Sequence, residues 1–271
     1  TAKRGGRRLL ISEAARGEGG RLYAMRDGEP WYFMEERYPE LGNLMPRDIT
    51  AREIWRVGQQ TPVYLDMTQL SGDVFAHKLS GLREDCITYL GLDPKEQSIP
   101  VEPGIHYFMG GLQVDTQHRT SLRNVYAAGE CCAQYHGANR LGGNSLLGAI
   151  YGGKIAAQTA IAESNGSTCS CQILAAGQQT SVQEQKILHE TLAQALGVVR
   201  TGETMEQALH TVQSLSGNLA LLGQAVLLSA LERKESRGAQ FRTDYPETRE
   251  KYCAATIARY TQGTIAVTWG E

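Results

Sequence analysis

The chain has 271 residues, 41% of them hydrophobic and 21% charged, with a formal net charge of −2. That length holds one large or two smaller globular domains, and the near-balanced charge gives no pull toward nucleic acid or an anionic membrane surface. No apolar run reaches the roughly 18–20 residues of a membrane-spanning helix, and Thr1-Ala2-Lys3-Arg4-Gly5-Gly6 lacks the apolar core of a secretory signal.

In chain order, Leu9-Leu10-Ile11 reads as a short strand, and Arg21-Leu22-Tyr23-Ala24 as a second after the glycine turn at 17–20. Pro46-Arg47-Asp48 opens a helix that Asp48 can cap, with Ile49, Ile54, Trp55 and Val57 as its partly buried face. Val63–Met67 is a strand, and Leu79–Leu90 a helix ending at Gly91. Gly111–Asp115 and the buried Asn124–Ala128 follow as strands, the second running into Gly129-Glu130 and a glycine-rich loop. A helix starts near Asn144-Ser145 and carries Leu146, Leu147, Ile150, Ile155, Ala156 and Ile161. Ser164–Ala176, small and polar, is the best linker. Beyond it Ser181-Val182-Gln183-Glu184 fits a capping box before Leu188, Leu192 and Leu196. Two more helices run from Thr204 to Gly217 and from Asn218 to about Arg233, and Glu247–Tyr260 reads as a fourth. The fold class is α+β.

The cysteines, Cys86, Cys131, Cys132, Cys169, Cys171 and Cys253, make no C-x-x-C pair. This argues against zinc or an iron–sulfur cluster on this chain, and for reduced thiols in a cytoplasmic setting.

The chemistry gathers at one strand–loop–helix unit. Glu130 sits at the carboxyl end of the expected strand, the edge where open α/β sheets bind ligands. The helix from Ser145 aims backbone N–H groups at the same place and can stabilise an anion. Equally, Asn144 and Ser145 could simply cap a glycine-rich βα turn. Arg140 can grip a carboxylate with two parallel hydrogen bonds or pair with a structural acid. His106, beside Tyr107-Phe108-Met109, reads alone as a satisfied core histidine. Glu13 and Arg16, three apart, read alone as a local ion pair, and Arg47 as a helix-start residue. No G-x-G-x-x-G follows a strand, so the segment that would hold the ADP half of a dinucleotide is not expected within these residues.

Three runs change that balance: His106-Tyr107-Phe108-Met109-Gly110-Gly111, Ala127-Ala128-Gly129-Glu130, and His136-Gly137-Ala138-Asn139-Arg140-Leu141-Gly142-Gly143-Asn144-Ser145-Leu146. Together they resemble the flavoprotein subunit of succinate dehydrogenase and fumarate reductase, a superfamily that includes L-aspartate oxidase. Ser12–Gly20 and Pro46-Arg47-Asp48 resemble its capping-domain motifs, and Arg233-Lys234-Glu235-Ser236-Arg237-Gly238-Ala239 its helical-domain signature. The resemblance implies a capping domain over 1–104, the last part of an FAD-binding domain over 105–163 and a helical bundle over 177–262. It implies an FAD-dependent oxidoreductase of electron transport that interconverts succinate and fumarate, with hydride passing to or from flavin N5. By the same resemblance Arg47 is the acid/base and Glu13 and Arg16 its proton-relay partners. Ser12, His106 and Arg140 bind the dicarboxylate; Glu130, Asn144, Ser145 and Leu146 line the cofactor. An arginine acid needs burial and neighbouring positive charge, here Arg16 and Arg140, to lower its proton affinity.

An iron–sulfur subunit is the implied partner in an intact parent, and membrane contact is implied only through partner subunits, at the cytoplasmic face of the inner membrane. Gly142-Gly143-Asn144-Ser145 favours this reading over L-aspartate oxidase, and the Glu13, Arg16, Arg47, His106 and Arg140 set argues against a non-catalytic binding or assembly module. Gln240 departs from the family, standing where S-R-G-x-H has histidine. The stretch between Leu215 and Leu219 is shorter than in respiratory complexes, which leans toward a smaller soluble member. Without a pyrophosphate loop, these 271 residues alone are expected to bind FAD weakly and to be inactive.

Overall fold

Two short strands, β1 (Ala2–Arg4) and β2 (Arg7–Leu9), pair antiparallel at the start of the chain. This is a computed structural model; it describes residues 1–4, 7–164 and 177–270, and divides into two units, Thr1–Tyr107 and Phe108–Glu271. Leu10 and Ile11 lie outside the expected strand, because pairing ends where Leu9 meets Ala2 and Leu10 is exposed. After α1 (Ala14–Gly17) comes β3 (Arg21–Arg26), turning into β4 (Glu29–Trp31) through Asp27 and Gly28. Both turn residues have positive φ, 55° and 87°, as a two-residue hairpin turn that matches the strand twist requires. Helices α2 (Phe33–Arg37) and α3 (Arg47–Gly58) precede β5 (Val63–Asp66). Helix α4 (Gly72–His77), α5 (Ser80–Asp85) and a π-helical turn Cys86–Leu90 end at Gly91, left-handed at φ 61°, before β6 (Ile99–Val101).

The four-stranded antiparallel sheet has the order β4-β3-β5-β6. Alternate residues Leu22, Ala24, Val63 and Leu65 face one core, where they join Phe33, Met34, Phe75 and Leu79. On α3 the buried side differs from the expected apolar one: Thr50, Glu53 and Val57 are buried and Trp55 is exposed. Glu53 tolerates burial because Arg37 and Arg56 both pair with it. Asp48 does not cap; it sits inside the first turn and binds Arg52 at 2.9 Å.

In the second unit, neither Gly111–Asp115 nor Asn124–Ala128 forms a strand. Each makes only an isolated bridge, Leu112 to Cys132 and Arg119 to Tyr126, and a strand needs a ladder of partners. Glu130 therefore lies in a 3₁₀ turn, Gly129–Cys131, rather than at a strand end. Helix α6 (Asn144–Glu163) is tied at its far end by Glu163, which accepts from Arg119 Nε at 2.6 Å and from the Tyr126 hydroxyl at 2.5 Å. Its buried positions are Gly148, Gly152 and Thr159, while Leu146, Leu147, Ile150 and Ile161 are exposed. Apart from Ser164, which closes α6, the expected linker lies outside the described residues, as do Cys169 and Cys171. Cys86, Cys131, Cys132 and Cys253 are free thiols, and burial pushes Cys86 up to about 11. No helix among the described residues is long and apolar enough to cross a membrane.

Helices α7 (Val182–Ala195), α8 (Gly202–Gln213) and α9 (Asn218–Glu232) form a second core around Leu188, Met205, Val212 and Leu227. The capping box at Ser181 and Glu184 is present as read from the sequence. Ser181→Ala is expected to cost about 1 kcal/mol, seen as a lower urea midpoint at unchanged slope. The expected fourth helix is absent. Glu247–Tyr260 instead holds a 3₁₀ turn, Glu250–Tyr252, and enters a hairpin of β7 (Ala255–Thr261) and β8 (Thr264–Gly270). Gln262 and Gly263, at φ 50° and 82°, make its turn, and the β-branched and aromatic residues of Thr264–Trp269 favour an extended partner.

Candidate functional site

In the first unit, Glu13 is the N-cap of α1 and Ser12 precedes it, its Oγ accepting the Ala14 N–H at 3.2 Å. The short helix places Arg16 three residues on, where its Nη2 reaches Glu13 Oε1 at 3.0 Å. Arg47, first residue of α3, donates from Nε to the other carboxylate oxygen, so one carboxylate bridges two guanidinium groups. Arg47 Nη1 lies 3.1 Å from His106 Nε2. An arginine only donates, so Nε2 carries the lone pair and a neutral ring holds its proton on Nδ1. His106 is thus an exposed partner of Arg47, not the core histidine that its aromatic neighbours alone imply.

The cluster is held from below. Arg16 Nη1 donates to the Asn43 carbonyl, to the Met45 carbonyl at 3.2 Å and to Thr50 Oγ1 at 3.1 Å. Asn43 is itself fixed by the Leu22 N–H, 2.8 Å from its Oδ1, and by its Nδ2 donating to Glu35 at 3.2 Å. Arg16 is mostly buried, and its proton affinity is lowered, first by burial and also by the charge of Arg47, with Glu13 opposing. A cation at the first residue of α3 faces the positive end of the helix dipole, and the Glu13 carboxylate offsets that. Ser12, Glu13, Arg16, Arg47 and His106 thus fall in one neighbourhood that can hold an anion and pass a proton along hydrogen-bonded side chains.

The second unit carries the others. Glu130 is exposed and accepts the Phe108 N–H at 3.0 Å. His136 to Gly143 form an irregular loop, in which Arg140 is half-buried and donates from Nη1 to the Leu141 carbonyl at 3.2 Å. Burial first, then the charge of Arg140, lowers the proton affinity of His136, which favours a neutral ring beside the cation. The N-cap of α6 is Gly143, left-handed at φ 82°, with no side-chain cap. Neither Asn144 nor Ser145 is the N-cap; the Asn144 N–H donates to the Leu141 carbonyl at 3.4 Å, and no capping side chain takes the other first-turn amides. A Cβ on Gly143 would meet nothing within 4 Å, and Leu146 is exposed in the same turn. This open, donor-lined and partly apolar ground suits a planar, anionic or polarised ligand. The sequence did not single out Tyr135 and His118, whose side chains meet at 2.8 Å immediately before this loop; the signal that could have found them is Gly148 and Gly152, four residues apart on one face of a helix and both close to the Tyr135 ring. Among the described residues no His, Cys, Asp and Glu group could hold a metal.

A family model described as FAD binding domain matches residues 2–146, and one described as fumarate reductase flavoprotein C-term matches residues 216–270. The succinate dehydrogenase flavoprotein subunit of Bacillus subtilis is 33% identical over 306 residues, covering 93% of this chain and 52% of that protein. The L-aspartate oxidase of Pyrococcus furiosus is 35% identical over 261 residues, covering 94% of this chain and 52% of that protein. A quinol–fumarate reductase solved with menaquinol molecules superposes with a TM-score of 0.74 at 25% identity, over 97% of this chain and 57% of that one. This chain spans about half the length of the curated relatives it matches. By class it stands among FAD-binding flavoproteins, with FAD as the cofactor. Within that class it belongs to the succinate dehydrogenase/fumarate reductase flavoprotein family, with L-aspartate oxidases among its relatives.

Proposed function

We propose that this chain carries the proton-handling and carboxylate-binding residues of a flavoenzyme that interconverts succinate and fumarate. The observation that carries the reading is Glu13, bridging Arg16 and Arg47 while Arg47 also holds His106. In this reading Arg47 delivers a proton to, or takes it from, the substrate carbon. Glu13 and Arg16 pass that proton on, since a carboxylate held between two guanidinium groups can hand a proton from one to the other. Ser12, His106 and Arg140 bind the carboxylates, with Arg140 offering the planar fork that suits them. Glu130, Asn144, Ser145 and Leu146 hold the isoalloxazine and ribityl portion, for which the open α6 terminus has amide donors and exposed apolar surface. FAD, when bound, supplies the two-electron acceptor or donor. The capping, FAD-domain and helical divisions at 1–104, 105–163 and 177–262 belong to the same proposal, as does an iron–sulfur subunit as electron partner.

The second reading is L-aspartate oxidase, favoured by the 35% identity to the Pyrococcus enzyme. Steady-state assays of the flavin-loaded intact parent with succinate, fumarate and L-aspartate separate the two. The expected result is turnover of the dicarboxylates and little of aspartate; rapid peroxide formation from aspartate overturns the proposal.

A further inference from the structure

The loop bearing Arg140 has no regular secondary structure, so something else must fix it. Immediately before it, the Tyr135 ring lies across α6 over two glycines. A Cβ on Gly148 would come 3.2 Å from Tyr135 Cδ2, and one on Gly152 would overlap the tyrosine hydroxyl. The glycines four apart therefore form a notch shaped to the ring. The hydroxyl lies 2.8 Å from Nε2 of His118, which is 1% exposed. On its other side, His118 Nδ1 lies 2.7 Å from the Ala127 carbonyl. A carbonyl only accepts, so Nδ1 is the donor and the neutral ring presents Nε2 to the Tyr135 O–H. His118 also sits at φ 63°, a left-handed conformation that costs a residue with a Cβ about 1 kcal/mol. The side chain's two hydrogen bonds offset that cost.

The middle of the loop has a second anchor. The Ala138 carbonyl accepts the Ala239 N–H at 3.1 Å. Gly238, at φ 55°, lies so close that a Cβ there would overlap the same carbonyl oxygen. The Ser236-Arg237-Gly238-Ala239 turn after α9 thus presses backbone to backbone on the loop.

We propose that Tyr135, seated in the Gly148/Gly152 notch and held by His118, is a positioning residue that, with the Gly238-Ala239 turn as second anchor, sets Arg140 for carboxylate binding. This rests on the reading of Arg140 as a dicarboxylate ligand. The test is a mutant cycle in the flavin-loaded intact parent with Tyr135→Phe, Arg140→Lys and the double variant, measuring KM and kcat for succinate and fumarate. Tyr135→Phe keeps the ring in its notch and deletes only the hydroxyl. It is expected to raise KM about fivefold, the size of one net hydrogen bond, at unchanged kcat and flavin spectrum. In the Arg140→Lys background the same change is expected to add nothing, because its effect runs through Arg140. Amide exchange over residues 136–143 is expected to quicken in Tyr135→Phe while α7 to α9 stay as in wild type.

An Arg140→Lys variant with wild-type KM sinks the carboxylate reading and this inference with it. A raised KM in Arg140→Lys, together with a silent Tyr135→Phe or with additive effects in the double variant, overturns the positioning role alone. Gly152→Ala, which forces the ring out of the notch, is expected to raise KM further than Tyr135→Phe; if it fails to fold, the Tyr135→Phe cycle decides.

Discussion

Arg47→Lys is expected to lower kcat by about 10²–10⁴-fold, the range that a positioned acid or base contributes, with a small change in KM. Lysine keeps the charge and much of the reach. It loses the planar fork through which Nε faces Glu13 and Nη1 faces His106 at 3.1 Å, and a single ammonium cannot hold both directions at once. Glu13→Gln is the companion. It keeps the shape but removes the negative charge that bridges Arg16 and Arg47, leaving two neighbouring guanidinium groups uncompensated. It is expected to depress kcat as well, and the pair is expected to be non-additive because the residues act as one unit. Rapid-quench or stopped-flow measurement of the flavin half-reaction isolates the chemical step. A wild-type rate in Arg47→Lys would remove Arg47 from proton transfer. A rate that falls only through KM would make it a binding residue.

The Glu13–Arg16 pair of that cluster was legible in the sequence for a local reason, whereas Arg47 and His106 joined it only through the family resemblance. Glu13 and Arg16 are three residues apart, so any short helix joins them. Gly91 ends its helix and Ser181-Glu184 starts another through chemistry confined to four or five residues. What failed was non-local. Asn124–Ala128 has a strand's composition, but a strand exists only through partners elsewhere in the chain, and Tyr126 finds a single bridge to Arg119. Glu247–Tyr260 holds enough Glu, Lys, Arg and Ala to read as a helix, and β7 forms there because β8 pairs with it along seven residues. On α3, Thr50 and Glu53 are buried and Trp55 is not, because Arg16, Arg37 and Arg56 arrive with hydrogen bonds that no periodicity records. The Arg47–His106 contact is of the same kind, spanning 59 residues.

The same logic of a buried acid shared by arginines gives the largest expected stability effect, away from the candidate site. Glu235 is 0% exposed and lies between Arg233 at 2.6 Å and Arg237 at 2.9 Å, while its Oε2 accepts the Arg249 N–H at 2.9 Å. Arg233 in turn donates to the Tyr252 carbonyl at 2.8 Å and stacks over Trp269 at 4.8 Å, tying the end of α9 to the β7–β8 hairpin. Glu235→Ala removes the common acceptor and leaves two arginines and a backbone amide without it. The expected loss is about 3–5 kcal/mol, well above that of a cap and a large part of the stability of a typical domain. The site is also acid-labile. Burial pushes the Glu235 carboxyl up, but hydrogen bonds from Arg237, the Arg249 amide and Arg233 outweigh it and hold the group below the usual carboxylate range. A carboxyl with a depressed folded-state pKa contributes stability above its unfolded value, near about 4.3, and loses it as pH falls through the folded one. Urea unfolding from pH 7 down to pH 3 is therefore expected to show a decline in wild type that is shallower in Glu235→Gln, which starts lower because its neutral amide meets the arginines without charge. Parallel pH curves for the two proteins would place the acid sensitivity in other carboxylates, and a Glu235→Ala variant as stable as wild type would show that the arginines find water as readily as they find Glu235.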